Sequence, residues 1–289
     1  MDRLARPHLT VAMDTHNQDT TLVIGGTGKT GRRIVQRLRE RGLPVRSASR
    51  ASEPPFDWED PSTWEPVLRG ASSAYVSFFP DLAVPGAPEA IADLSRQALG
   101  LGVRRLVLLS GRGEVEAQRA EQALQACGAE WTIVRCSWFD QNFSEGYLLE
   151  PVLAGEVALP VGDVPEPFVD IDDVADVAVA ALTEEGHAGQ VYELTGPRLL
   201  TFGEAVEEIG RASGRDLRFM PVAIDDYEEA LAAYGVPADV GGLLRYLFTE
   251  VLDGRNATLA DGVQRALGRE PRDFAAYARD AAATGVWRD

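Results

Sequence analysis

The sequence predicts an α/β protein, a doubly wound parallel sheet followed by a smaller, mostly helical C-terminal portion. Three observations predict it. Short apolar runs alternate with amphipathic helical segments from residue 20 to about 196, the pattern of successive β-α-β units. A glycine-rich segment, LVIGGTGKTGRRI, occupies the first strand-to-helix junction. Beyond Gly196 the strand signal disappears and helical periodicity dominates. The 289 residues are 45% hydrophobic and 25% charged, an ordinary globular composition that disfavours disorder, collagen-like repeats and coiled coil.

The elements follow in order. Residues 21–24 read as the first strand, and 30–41 as a helix with Ile34, Val35 and Leu38 on its inner face and arginines outside. A second strand is expected at 45–49, then a Pro-rich turn (EPPFDWEDP), a short helix at 64–68 and a third strand at 74–79. The helix at 87–101 carries Ile91, Leu94, Ala98 and Leu101 at helical spacing, and a strand at 106–109 follows it. Next come a helix at 116–127, a buried-type strand at 131–134, a helix at 171–182 and a last strand at 191–194. Thr201 with Glu204 three residues on forms a capping box for a helix to about residue 212. Further helices are expected at 225–234, 239–253, 258–267 and 271–283.

The charge is unusual: 28 basic residues against 45 acidic give −17, and Lys29 is the one lysine, so the other 27 basic residues are arginine. Such an acidic body repels nucleic-acid phosphates, which argues against a DNA- or RNA-binding role. Cys127 and Cys136 are too few for a disulfide framework or a cysteine-rich metal site, and they suit a reducing cytoplasm. No run approaches the roughly 18 apolar residues of a membrane span, and the first 20 residues lack a signal-peptide core. Residues 1–19 read as a polar, flexible leader holding His8 and His16, which leaves His187, in a loop, for the body. Neither a histidine triad nor a metal cluster is expected.

Gly25, Gly26, Gly28 and Gly31 satisfy both G-x-G-x-x-G and G-x-x-G-x-x-G between a strand and a helix. Glycines there allow a tight turn and close approach of backbone to a pyrophosphate, which the helix N-terminus then stabilises. The expectation is a Rossmann dinucleotide site formed by Gly25, Gly26, Thr27, Gly28, Lys29, Thr30 and Gly31. The letters GKT do not make a phosphate loop of the nucleoside-triphosphatase type, because the glycine required five residues before Gly28 is Val23.

NAD binders usually end the second strand in an acid that takes the ribose 2′-hydroxyl. This strand ends Ser47-Ala48-Ser49-Arg50, with no acid. Residues 29–50 hold eight basic residues against Glu40, a local balance of +7 that leaves −24 for the rest. Such a patch suits the 2′-phosphate of NADP, with Arg50 foremost and Arg32 next and Ser49 among the cofactor-binding residues, while Arg33, Arg37, Arg39 and Arg41 read as a solvated helix face.

At this point the sequence resembles the atypical short-chain dehydrogenase/reductases of the NmrA-like group. The resemblance covers roughly residues 20–285 and rests on the GGTGKTG loop, the SR ending of strand two, Phe56-Asp57 followed by ED, LLSG at 108–111, WTIVRCSWFDQNF and PFVDIDDVADVAVAAL. Within the group, GGTGKT with SRASEPPFDWEDPSTW is similar to the ergot-alkaloid-type festuclavine and agroclavine dehydrogenases. The resemblance implies that Asp57 and Trp58 lie near the adenine, that Phe78, Phe79 and Pro80 touch the cofactor, and that Trp138, Phe139 and Asn142 border the nicotinamide and substrate. From the residues alone, Phe78, Phe79, Trp138 and Phe139 read equally as core or as site, and Asp172 and Asp173 as helix caps.

One departure carries more weight. Short-chain dehydrogenases normally pair a tyrosine with a lysine that lowers its pKa, so that the tyrosine can protonate a reduced carbonyl. Alignment of the helix before WTIVR puts Ala117 and Glu121 at those places, and no lysine follows Lys29. Ser110 matches the family serine without its tyrosine. Hydride addition to an iminium carbon gives a neutral amine directly and needs no protein acid. A cleft of Trp138, Phe139, Phe78 and Phe79 would suit a cation, with Asp140, Glu116 or Glu121 supplying negative charge; Glu121 reads equally as a solvated helix residue.

The sequence therefore predicts an NADP-dependent reductase of a small organic acceptor, an imine or iminium of secondary metabolism, with Ser110, Glu121, Trp138 and Asn142 as the catalytic candidates. Two other readings stay open: a non-catalytic NADP-sensing regulator, and an NADPH quinone or enone reductase. Residues 20–196 are assigned to NAD(P) binding and 197–289, with 144–167, to the substrate. The partner is a small molecule, with no nucleic acid and no membrane, and the chain is expected as a monomer or homodimer.

Overall fold

The computed structural model describes residues 20–288, so the expected leader at 1–19 lies outside the described residues. The order begins β1 (Thr20–Ile24), α1 (Lys29–Glu40), β2 (Val45–Ala48), α2 (Trp64–Leu68), β3 (Ala71–Val76), α3 (Ala87–Gly100), β4 (Arg105–Gly111), α4 (Val115–Gln125) and β5 (Glu130–Cys136). It continues with α5 (Asn142–Glu145), α6 (Leu149–Ala154), β6 (Glu156–Leu159), α7 (Ile171–Thr183) and β7 (Gln190–Leu194). The remainder is α8 (Phe202–Ser213), β8 (Arg218–Pro221), α9 (Ile224–Ala233), α10 (Ala238–Tyr246), α11 (Gly262–Leu267) and α12 (Phe274–Thr284).

Six strands form one sheet in the order β2-β1-β3-β4-β5-β7, and every neighbouring pair is parallel. Because the winding reverses at β1, a crevice opens beyond the carboxyl ends of β1 and β3, the place where such sheets bind ligands. Helices cover both faces. α1 lays Ile34, Val35 and Leu38 on one face together with the almost wholly buried α7, whereas α2, α3 and α4 cover the other. Each buried aliphatic side chain there contributes about 1.5–3 kcal/mol.

A third apolar cluster lies beside the sheet. It joins Phe143, Leu148, Val152, Val157 and Phe168 to Phe202, Val206, Phe248, Phe274 and Trp287, so the segment before α7 packs with the C-terminal helices. α11 instead returns to the sheet, packing Val263 among the α7 and β7 side chains. Among the described residues no helix is long and apolar enough to cross a membrane.

Several expectations are corrected. Strand pairing does not end at Gly196: β8 pairs in parallel with β6, a four-residue ribbon whose β8 strand buries no residue and so lacks an apolar run. β3 ends at Val76, three residues short of the expected end, which leaves Phe78 and Phe79 on a loop. The helix expected from 258 begins at Gly262, because Arg112 takes the carbonyl oxygens of Asn256 and Thr258. The Thr201–Glu204 capping box is formed in both directions. At α7 the cap is Asp170, whose side chain accepts from the Asp172 N–H. Asp172 instead pairs with Arg37, and Asp173 with Arg269.

Candidate active site

The glycine loop is shaped by what its backbone touches. Gly25 takes a positive φ of 75°, and the N–H groups of Gly25 and Gly26 both donate to the Ala48 carbonyl of β2 at 3.0 and 3.2 Å. A Cβ at Gly26 would strike Ser47, and one at Gly31 would strike the Gly25 carbonyl. Gly26 and Gly31 thus let strand, loop and helix close up, while Gly25, Thr27, Gly28, Lys29 and Thr30 face the cleft. Gly28 precedes α1 with no side-chain cap, and no acid occupies the first turn. The free N–H groups and the positive end of the helix dipole remain available to an anion.

The cleft encloses about 670 Å³. At one end Ser49 and Arg50 meet Asp57, Trp58, Phe78, Phe79 and Pro80. The Arg50 guanidinium lies 5.1 Å from the centre of the Phe79 ring and, among the described residues, makes no ion pair. Phe79 is 61% exposed on the cleft wall, whereas Phe78 packs against Trp58 at 4.6 Å between centroids. Trp58 is fixed by donating its indole N–H to the Ser77 carbonyl at 3.1 Å.

Three arginines of α1 are not available in the same way. Arg32 and Arg33 both pair with Glu145, and Arg37 pairs with Asp172 and Asp176. Arg33 and Arg37, expected on a solvated face, are largely buried because α1 packs against α7 and its acids. Arg32 lies outside the cleft wall.

Lys29 is largely buried, and its Nζ donates to Asn142 Oδ1 at 2.6 Å. Burial lowers its pKa, opposed by Glu145 and reinforced by Arg32 and Arg33. That bond, with the Arg32 and Arg33 pairs to Glu145, ties the start of α1 to α5 and brings Lys29 and Asn142 together on the cleft wall.

Beyond it lies the second half. Ser110, at the end of β4, donates its hydroxyl to Glu121 at 2.6 Å. Glu121 is buried behind Ser110 and ion-paired with Arg135, so it is neither a solvated helix residue nor part of the cleft wall. Trp138 lines the cleft and packs edge-on against Phe202 and tilted against Phe248. Phe139 lines it as well. Asp140 is fully buried away from the cleft, and Glu116 pairs with Arg119 at the surface.

Sequence reasoning missed Asp81, Glu114 and Glu166, three carboxyl groups on the cleft wall. Burial pushes the Glu166 carboxyl up to about 7, against the opposing Trp138 N–H and Arg112 charge. Glu114 follows LLSG closely enough to have been a candidate; Asp81 and Glu166 carry no local signal. Leu243 of α10 and Leu247 just past its end line the cleft, and the Val115 N–H donates to the Tyr246 hydroxyl at 3.3 Å. Among the described residues no group of histidine, cysteine and acidic side chains could hold a metal ion.

A strand-to-helix glycine loop at a sheet switch point, opening on a cleft with an unpaired arginine, defines a dinucleotide-binding protein. The family model for NAD(P)H-binding proteins matches residues 25–185. The chain belongs to that NAD(P)H-binding family. It is 30% identical to an NAD(P)H azoreductase of Xenophilus azovorans over 91% of this chain and 98% of the relative. It is likewise 30% identical to agroclavine dehydrogenase of Claviceps fusiformis, over 93% and 100%. The fold matches an NADPH-dependent quinone oxidoreductase of Escherichia coli in complex with NADPH, with a TM-score of 0.75 and 19% identity over 90% and 99% of the two chains.

Proposed function

We propose that this protein is an NADPH-dependent reductase that passes hydride to a small organic acceptor, an imine or iminium of secondary metabolism. The observation that carries the reading is one continuous cleft that joins the glycine loop and Arg50 to an aromatic, acidic end at Trp138, Asp81 and Glu114. Bound NADPH supplies the hydride. The chain's residues hold and orient it: loop N–H groups and the α1 N-terminus at the pyrophosphate, Ser49 and Arg50 at the 2′-phosphate, Asp57 and Trp58 toward the adenine, and Phe78, Phe79 and Pro80 along the wall. Arg50 is the arginine suited to the 2′-phosphate because Arg32 is committed to Glu145.

The proton chemistry favours a C=N⁺ acceptor. Ser110 gives its hydroxyl to Glu121 and the one lysine is bonded to Asn142, which supports a site that works without the tyrosine-lysine pair, whose matching positions carry Ala117 and Glu121. Hydride addition to an iminium needs no such pair. The ring of Trp138 on the cleft wall beside carboxyl groups suits a cation, and relatives named for agroclavine and for azo reduction support a nitrogen-bearing acceptor. The separate apolar cluster of 143–168 with the C-terminal helices supports their assignment to substrate binding.

The test is titration with NADPH and NADH, followed by oxidation assays with cyclic iminium ions, enones and quinones. Turnover of iminium above the others is expected. Faster turnover of quinones or enones would replace the acceptor class, and NADPH binding without turnover of any acceptor would favour a regulatory protein.

A further inference from the structure

We propose that Asp81 and Glu114 share one proton on the cleft wall and that Glu114 donates it to a neutral acceptor, converting an imine nitrogen into the iminium that accepts hydride. The proposal rests on the reductase reading and adds a class of substrate to it, neutral imines as well as preformed cations.

The geometry is specific. Glu114 is 7% exposed and lines the cleft, yet its Oε2 has no hydrogen-bond partner. It sits at the N-cap position of α4 without capping that helix. Its carboxyl folds back over Gly111 at the end of β4, where a Cβ would overlap it, so glycine there is what lets the group reach the cleft. The Asp81 carboxyl is within hydrogen-bond reach. Two ionised carboxylates in that contact would repel, and each would offer only acceptors; one proton between them removes both costs.

The surroundings keep that proton in place. Burial, then the charge of Asp81, pushes the Glu114 carboxyl well above its ordinary range. Burial also raises Asp81, whose Oδ1 takes the Ala83 N–H at 2.8 Å. The other groups facing Glu114 do not neutralise it. Glu121 on α4 is already paired with Arg135 of β5, and the Cys136 thiol of β5 is pushed up by burial. Arg112 points away toward Glu193, Asn256 and Thr258, and Glu166 further along the wall is itself raised.

In the step, the Glu114 O–H bond breaks and an N–H bond forms from the imine lone pair. The new C–H bond takes its electron pair as hydride from a reduced nicotinamide, the C=N⁺ π pair returns to nitrogen as the amine lone pair, and the carboxylate pair regains a proton from water. Positioned proton donors of this kind contribute about 10²–10⁴-fold.

The experiment compares 3,4-dihydroisoquinoline with its N-methyl iminium cation, which cannot be protonated, at a pH where the free imine is neutral. For Glu114→Gln the ratio of kcat for the imine to kcat for the cation falls about 100-fold or more, and Asp81→Asn lowers it in the same direction. An unchanged ratio overturns the proposal. An independent readout is the infrared C=O band of a protonated carboxyl at neutral pH in the protein without substrate, expected in the wild type and lost in Glu114→Gln; absence from the wild type also overturns it. If neither acceptor is reduced by the wild type while the band is present, the reductase reading fails and the shared proton stands.

Discussion

The two ends of the cleft are built differently. The dinucleotide end comes mostly from one stretch, residues 25–58, in which backbone shape and Arg50, the arginine of that stretch on the cleft wall, do the work. The opposite end is assembled from Asp81, Ser110, Glu114, Trp138, Glu166 and Leu247, segments far apart in sequence, and its side chains are aromatic and acidic. An anion site can be made locally because successive N–H groups and a helix end already point one way. A site that must position an acceptor and govern protons needs side chains converging from several strand ends, and burial then sets their charge.

The largest test of this contrast lies behind the acidic end. Arg135→Met leaves Glu121, 3% exposed at its side chain, as an uncompensated buried charge. Loss of about 3–5 kcal/mol is expected in chemical denaturation, whereas a destabilisation below about 1 kcal/mol would show that the Ser110–Glu121–Arg135 network is not a structural support. Next comes Arg50→Glu, which should weaken NADPH binding about 100-fold, the loss of a charge-assisted contact worth roughly 1.5–3 kcal/mol, and leave NADH binding less affected. A retained NADPH preference in titration would remove Arg50 from the 2′-phosphate.

The pH dependence of stability is a third probe. Glu166 binds a proton in the folded state up to about pH 7, whereas an unfolded glutamate releases it near the ordinary value of 4.5. Between those values the folded state holds more protons, so stability falls as pH rises, by up to about 1.4 kcal/mol per unit from this group. Glu166→Gln should flatten that slope in denaturant titrations at pH 5 and pH 7; an unaltered slope would mean that Glu166 is not held protonated. The smallest effect belongs to Arg32→Ala. Its half-exposed ion pair with Glu145 contributes less than about 1 kcal/mol, and the NADPH-to-NADH affinity ratio should stay as in the wild type. A collapse of that ratio would put Arg32 on the cofactor.

Arg32 and Arg50 illustrate why part of the site was legible and part was not. Both are arginines beside a glycine loop, and only packing separates them: α5 brings Glu145 to Arg32, whereas Arg50 meets the Phe79 ring. Lys29 and Asn142 could each be singled out, but the bond between them joins positions 113 residues apart. The same limit applied to the fold. Strands with continuous apolar runs, such as Leu106–Leu108, announced themselves, while β6 and β8 are four-residue strands that pair only with each other.

By itself the sequence determined the parallel α/β architecture, the dinucleotide loop and the lack of any lysine beyond Lys29, because periodicity, glycine spacing and composition are local properties of the chain. The tertiary structure decided which charges are free and which carboxyl groups face the cleft. That is a question of which distant side chains become neighbours, and of how much water remains between them.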